Sequence, residues 1–162
     1  MTTLTYTAAT IADTDRLGAA LAEILPESSV VELDGTLGAG KTRLVQAVAA
    51  ALGVPPQEIV SPTFVLVNEY EGSRPIAHFD AYRLRDEDEF AQLGPEEYFD
   101  RPGLTFIEWG ERVAGLLPPE RLTIRIAVAG HEQRRFEISG PADPWASALA
   151  RLQSLLEKRT AQ

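Results

Sequence analysis

The sequence predicts a three-layer α/β domain, with helices covering a sheet that is partly parallel and partly antiparallel. Two observations carry this. Gly35-Thr36-Leu37-Gly38-Ala39-Gly40-Lys41-Thr42 is a complete G-x-x-x-x-G-K-[ST] loop, and such a loop joins a buried strand to the start of a helix. Further along, apolar segments ending in Asp80 and Glu108 read as buried strands, while Leu122 to Ile138 alternates as an antiparallel pair does.

The elements follow in order. Leu4 and Tyr6 mark a first short strand; Thr10 or Asp13 then caps a helix carrying Leu17, Leu21, Ile24 and Leu25, which Pro26 stops. Val30-Val31-Glu32-Leu33-Asp34 is the strand before the loop, and Leu44, Val45, Val48, Ala51 and Leu52 recur at helical spacing after it until Gly53 and Pro55. Ser61-Pro62-Thr63 begins as a turn and continues through Tyr70 as an extended segment. The turn Glu71-Gly72-Ser73-Arg74-Pro75 leads it into Ile76-Ala77-His78-Phe79-Asp80 as a hairpin. Phe90, Leu93, Tyr98 and Phe99 give an acidic stretch an apolar side, and Gly94-Pro95 divides it into two short helices. Leu104 to Glu108 is another buried strand. Leu122, Ile124, Ile126 and Val128 pair with Phe136 and Ile138 across a turn at Gly130, and Asp143-Pro144 opens a last helix with Trp145, Leu149, Leu152, Leu155 and Leu156 on one face.

The 162 residues form a single domain over 1–162, without repeats, low-complexity tracts or linkers. A signal segment, a membrane-spanning apolar run and cysteine are all lacking, so a soluble cytoplasmic protein is expected, with no membrane partner. Fifteen basic against 24 acidic residues give a net charge of −9, which opposes autonomous binding to DNA or RNA. Much of the excess lies between Asp86 and Asp100, as a solvated helical face or a docking surface for a basic partner.

The loop makes a nucleoside triphosphate the leading ligand and the domain one of the P-loop NTPase type. Its glycines turn backbone N–H groups toward phosphate oxygens, the helix N-terminus adds its positive dipole end, Lys41 reaches the β/γ-phosphates, and the Thr42 hydroxyl ligates Mg²⁺. Magnesium also needs an acidic partner, normally at a strand end, and Asp80 and Glu108 both qualify: one to fix the metal, the other to orient or deprotonate the attacking water. Thr63 occupies the place of a γ-phosphate-sensing switch or of an ordinary turn threonine. His78 reads as a packed strand histidine rather than an acid or base. Trp109 either covers the nucleotide or packs beside a strand end. Arg43, Arg83 and Arg85 meet phosphate or pair with the acidic helices, the second being the plainer reading. A guanine-reading [NT]-K-x-D segment is absent, so an adenine nucleotide is favoured; metal-cluster spacing, a nucleophile elbow and a dinucleotide loop are absent too. From residues alone an ATPase leads, with a small-molecule kinase or a nucleotide-dependent binding module that hydrolyses little as alternatives.

Several segments together resemble one family, the bacterial TsaE proteins: Leu37-Gly38-Ala39-Gly40-Lys41-Thr42; Ser61-Pro62-Thr63-Phe64 with Leu66-Val67-Asn68-Glu69-Tyr70; His78-Phe79-Asp80 with Tyr82-Arg83-Leu84; Leu93-Gly94 with Glu97-Tyr98-Phe99; and Ile107-Glu108-Trp109. Their order covers about residues 30 to 112. The resemblance implies an ATPase required for tRNA N6-threonylcarbamoyladenosine at position 37, acting with TsaB and TsaD and meeting tRNA only through that complex. It further implies ATP and Mg²⁺ as cofactors and nucleotide contacts along Gly35, Thr36, Leu37, Gly38, Ala39, Gly40, Lys41 and Thr42. Lys41 and Asp80 would serve hydrolysis, Thr42 and Glu108 would hold the metal, and Thr10, Ile11, Trp109 and Glu111 would lie near the nucleotide. The chain departs from the family pattern at Thr36, Arg43 and Ala81; the first removes a negative charge beside the phosphates and the second adds a positive one. From about Gly130 onward no motif of the family is matched.

Overall fold

A computed structural model of the chain describes residues 1–59 and 66–160, the side chains of residues 159 and 160 excepted. The Ser61-Pro62-Thr63-Phe64 turn, with Thr63 as a switch candidate, lies outside the described residues. Strand β1 (Thr2–Ala8) leads to helix α1 (Ile11–Ile24), β2 (Ser28–Gly35) and α2 (Lys41–Ala51). A hairpin of β3 (Val67–Glu71) and β4 (Pro75–Asp80) follows, then the short helices α3 (Glu87–Ala91) and α4 (Pro95–Phe99) and strand β5 (Gly103–Glu108). A 3₁₀ segment over Gly110–Leu116 connects to β6 (Leu122–Val128), β7 (Arg134–Gly140) and α5 (Ala142–Thr160).

The strands form one sheet in the order β1-β7-β6-β2-β5-β4-β3. Its centre, β6-β2-β5-β4, is parallel, and the antiparallel strands β7 and β3 flank it. The mixed sheet was expected; the place of β6 was not. The β6–β7 pair is antiparallel as the alternation predicts, yet β6 also runs parallel to β2, while β7 takes β1 on its other edge. The strand pair nearest the C-terminus thus separates the N-terminal strand from the loop strand. Residues Ser29 to Asp34 of β2 are all buried, as befits a central parallel strand covered on both faces.

Thr10 and Asp13 act together on α1 rather than as alternatives. The Thr10 hydroxyl accepts from the Asp13 N–H at 3.2 Å, and the Asp13 carboxylate accepts from the Thr10 N–H at 3.3 Å, a reciprocal capping box. Gly18 lets α1 approach α2 closely, since a Cβ there would lie 2.3 Å from that of Ala47. In α5 the backbone of Asp143 is not helical, so regular turns begin beyond it; Trp145 then buries its ring and donates to the Glu120 carbonyl at 2.6 Å.

Helices α1, α2 and α5 cover one face of the sheet and enclose the larger core, with Leu17, Leu21, Val48, Leu149 and Leu152 packed with Phe106, Leu122 and Phe136. On the other face α3, α4 and the 3₁₀ segment shield only β2, β5 and β4, around Phe79, Phe90, Ile107, Val113 and Leu117. Beyond β2 this face is open, with Thr3, Thr5, Thr7, Arg125 and Arg135 exposed. The third layer therefore spans about half the sheet. Asp86, Glu87, Asp88, Glu96, Glu97 and Asp100 face solvent, while Phe90 is buried beneath them.

Candidate functional site

The phosphate loop stands at the carboxyl end of β2, where the central parallel strands all terminate, the position at which open α/β sheets form ligand crevices. Gly40 has a left-handed backbone (φ 111°) from which α2 starts at Lys41, and a Cβ at Gly35 would lie 2.7 Å from the Ile126 carbonyl oxygen. These two glycines let the loop wrap tightly at the strand end. Lys41 is 4% exposed, and its ammonium donates to the carbonyls of Gly35 at 2.7 Å and Thr36 at 2.9 Å. It also lies 4.0 Å from the centre of the Trp109 ring. Burial pushes the Lys41 pKa down, against the upward pull of Glu108, Glu111, Asp80 and Asp34.

Register brings the two predicted carboxylates together, because Asp80 and Glu108 are Cα partners at the ends of β4 and β5. Their surroundings differ. The Thr42 hydroxyl lies 3.0 and 2.8 Å from the two Glu108 oxygens, and His78 Nε2 lies 2.5 Å from Glu108 Oε2. Asp80 instead accepts from the Tyr82 N–H at 2.9 Å and lines a cavity of about 460 Å³ together with Leu37 to Arg43, Tyr82, Arg83, Glu108 and Trp109. Burial raises the Asp80 pKa, helped by the Glu108 charge and opposed by the Tyr82 N–H, His78 and Arg83. Trp109 takes a left-handed backbone (φ 62°), unusual for a bulky side chain, as the chain turns from β5 into the 3₁₀ segment. Its N–H is held by the Leu33 carbonyl at 2.8 Å, and its ring packs on Tyr82 with centroids 5.0 Å apart.

The remaining expected contacts divide. The Thr10 hydroxyl is engaged in the α1 cap, whereas Ile11 lines a second cavity of about 440 Å³ on the other side of Gly38 and Gly40, with Thr14, Arg43, His131, Glu132, Arg134 and Phe136. Leu37 stands 74% exposed at the loop tip. Arg85 pairs with Glu89 of the acidic helix α3 at 2.7 Å, as the plainer reading expects. Arg43 pairs with Asp15 of α1 at 2.7 Å instead of with the acidic helices, because α1 packs beside α2; Arg83 lines the larger cavity. Glu111 lies with Glu32 and Asp34 in a tight acidic group behind the loop, one oxygen of each within 4.8 Å of the others, and its N–H donates to Asp34 at 3.1 Å.

Two features of the site escaped the sequence. Arg134, ninety-five residues from Ala39 in the chain, donates to the Ala39 carbonyl at 2.8 Å and ties the β6–β7 turn to the loop. No local pattern marks such a contact. The buried Glu32–Asp34 pair sat in plain view as two acids inside an apolar strand, and their alternation was the available signal. Arg121 holds Glu32 at 2.6 Å; burial raises the Glu32 pKa, but the hydrogen bond with Asp34 and the Arg121 charge outweigh it and leave the value lowered. Asp34 is pushed up to about 9 by burial, by its hydrogen bond with Glu32 and by Glu111.

The native state therefore binds a proton at Asp34 that the unfolded chain, titrating near 3.8, releases across the window between those values. Stability falls as pH rises through that window. Asp34→Asn keeps an acceptor for the Glu111 N–H and a donor for Glu32 without a titrating proton. The variant is expected to melt higher than the parent at about pH 8, with the difference vanishing below about pH 4, in thermal unfolding followed by circular dichroism. A difference independent of pH would remove the assignment.

Comparison with known proteins gives this arrangement its family. Residues 8–136 match the family model described as threonylcarbamoyl adenosine biosynthesis protein TsaE. The chain belongs to the TsaE family. A Treponema pallidum relative, tRNA threonylcarbamoyladenosine biosynthesis protein TsaE, is 41% identical over 127 residues, covering 78% of this chain and 93% of the relative. The Synechocystis protein of the same name is 49% identical over 108 residues, 64% of this chain and 68% of that one. The crystal structure of Bacillus subtilis YdiB superposes with a TM-score of 0.79 at 28% identity, covering 94% of this chain and 95% of the other. The fold is thus P-loop NTPase-like, and the family takes part in tRNA threonylcarbamoyladenosine biosynthesis. Among the described residues no helix is long and apolar enough to cross a membrane.

Proposed function

We propose that the protein is a Mg²⁺-dependent ATPase of tRNA N6-threonylcarbamoyladenosine synthesis at position 37, acting with TsaB and TsaD in the cytoplasm and meeting tRNA only through them. The observation that carries this reading is the Thr42–Glu108 contact beside Lys41 in the phosphate loop. A hydroxyl and a carboxylate held together at 2.8 and 3.0 Å form a hard-oxygen donor set that fits Mg²⁺. Thr42 and Glu108 would hold the ion, which would supply positive charge to offset that of the β- and γ-phosphates.

The chain's own residues supply the rest. Lys41 exchanges its two loop carbonyls for phosphate oxygens, which offer stronger, charge-assisted bonds. Asp80, free of Thr42 and more basic than an ordinary aspartate, orients the attacking water and accepts its proton. Trp109 and Tyr82 wall the phosphates on one side. The second cavity, with Ile11 and Phe136 on its wall, suits an adenine base.

Turnover by the isolated protein should be slow. An arginine finger gives P-loop enzymes roughly 10³–10⁵ in rate, whereas Arg43 and Arg134, which flank the loop, are occupied by Asp15 and the Ala39 carbonyl. Arg83, on the cavity wall, stands on the exposed turn after β4, where a partner would have to order it. Arg134 is also bound to the carbonyls of Gly130, His131 and Gln133, which argues against its serving a kinase lid. Phosphate release is to be measured with ATP and Mg²⁺, alone and with TsaB, TsaD and tRNA. Slow basal turnover raised by the partners is expected. Fast turnover that the partners leave unchanged, transfer of phosphate to a small acceptor, or no hydrolysis under any condition would each overturn the reading.

A further inference from the structure

His78 sits on β4 two residues before Asp80, so both side chains project to the same face of the sheet. It is 1% exposed. Its Nε2 lies 2.5 Å from Glu108 Oε2, and its Nδ1 has no hydrogen-bond partner among the described residues. A carboxylate accepts only, so the ring nitrogen facing it must carry the proton. The arrangement is one-sided: among the described residues, every directed bond the ring makes is given to Glu108. Glu108 in turn receives two donors, His78 on Oε2 and the Thr42 hydroxyl across both oxygens.

From this geometry we infer that His78 is a positioning residue, whose Nε2–H pins the Glu108 carboxylate in the orientation that presents it to Thr42 and to the metal. The inference rests on the ATPase reading above and adds a residue to it. Glu108 stands on a strand end beside Asp80, with three rotatable side-chain bonds that a free carboxylate would use to turn away. The imidazole removes that freedom from a buried position that solvent does not reach. Because the ring is anchored by the β3–β4–β5 register, where His78 is opposite Asn68 and Phe106, the donor stays fixed when ligands come and go. Partners that orient a ligating carboxylate commonly contribute 10–100-fold to metal affinity.

The test compares the parent with His78→Phe, which fills the space without a donor, and His78→Gln, whose amide nitrogen reaches close to the Nε2 position. ATP affinity is measured by calorimetry with Mg²⁺ and with EDTA. The gain in affinity due to Mg²⁺ is expected to fall roughly 10–100-fold in His78→Phe and to be largely retained in His78→Gln, with EDTA values alike in all three. A full Mg²⁺ gain in His78→Phe, or an equal loss in both variants, overturns the inference and leaves the ATPase reading standing. A parent protein indifferent to Mg²⁺ overturns both. If His78→Phe fails to fold, nitrogen NMR of the parent decides: a proton on Nε2 supports the inference, and an Nε2 without one overturns it.

Discussion

Lys41→Ala is expected to lower ATP affinity by roughly 100-fold or more, the largest binding defect any single substitution in the loop should produce. The side chain is almost wholly buried, and its ammonium is already turned inward, on the carbonyls of Gly35 and Thr36 and the face of Trp109. Those contacts preorganise the charge where the β/γ-phosphates would arrive, so little ordering remains to be done on binding. Alanine removes the charge and leaves the two carbonyls without that donor. Lys41→Arg is not a conservative control, because a planar guanidinium cannot reproduce the compact ammonium's two bonds to the Gly35 and Thr36 carbonyls with the same geometry. Calorimetric titration with ATP is the measurement; an unchanged affinity in a variant that melts like the parent would sink the phosphate-loop assignment.

The second large effect should separate the two strand-end carboxylates. Glu108→Ala is expected to abolish most of the Mg²⁺-dependent gain in ATP affinity, since Glu108 alone of the pair contacts Thr42. Asp80→Ala is expected to bind Mg²⁺ and ATP nearly as the parent does and to lose about 10²–10⁴ in partner-stimulated phosphate release, the range for a general base. The distinction follows from their environments. Glu108 is buried and held by Thr42 and His78, whereas Asp80 is half-buried, lines the cavity and accepts from a backbone N–H. Binding measured with and without EDTA, next to phosphate release, gives two readouts for each variant. The reverse pattern would exchange the roles of the two residues.

Residues Val30 to Leu52 were legible in the sequence because their structure is local. The glycines of the loop, the apolar run before it and the helical spacing after it are properties of consecutive residues, and the structure places β2, the loop and α2 accordingly. The same holds for the α1 cap, for the two acidic helices divided at Gly94-Pro95 and for the β3–β4 and β6–β7 hairpins. The identities of Lys41, Thr42, Asp80 and Glu108 as the residues to watch were likewise readable, since each occupies a loop or strand-end position that its own neighbours define.

Which of these residues touch was decided by tertiary structure. Thr42 meets Glu108 across 66 positions, Arg121 meets Glu32 across 89 and Arg134 meets Ala39 across 95. Periodicity tells whether a segment is a strand and which face it buries, but not which other strand takes its edge. Every strand edge offers the same N–H and C=O groups, so pairing order is settled by how all the helices and strands bury their apolar faces at once. The parallel pairing of β4, β5, β2 and β6 sets the heights of Asp80, Glu108, the loop strand and the β6–β7 turn at one end of the sheet. The sequence by itself determined the loop with its flanking strand and helix; the sheet order determined that Glu108 faces Thr42, that His78 lies against Glu108, and that Asp80 remains turned toward the cavity.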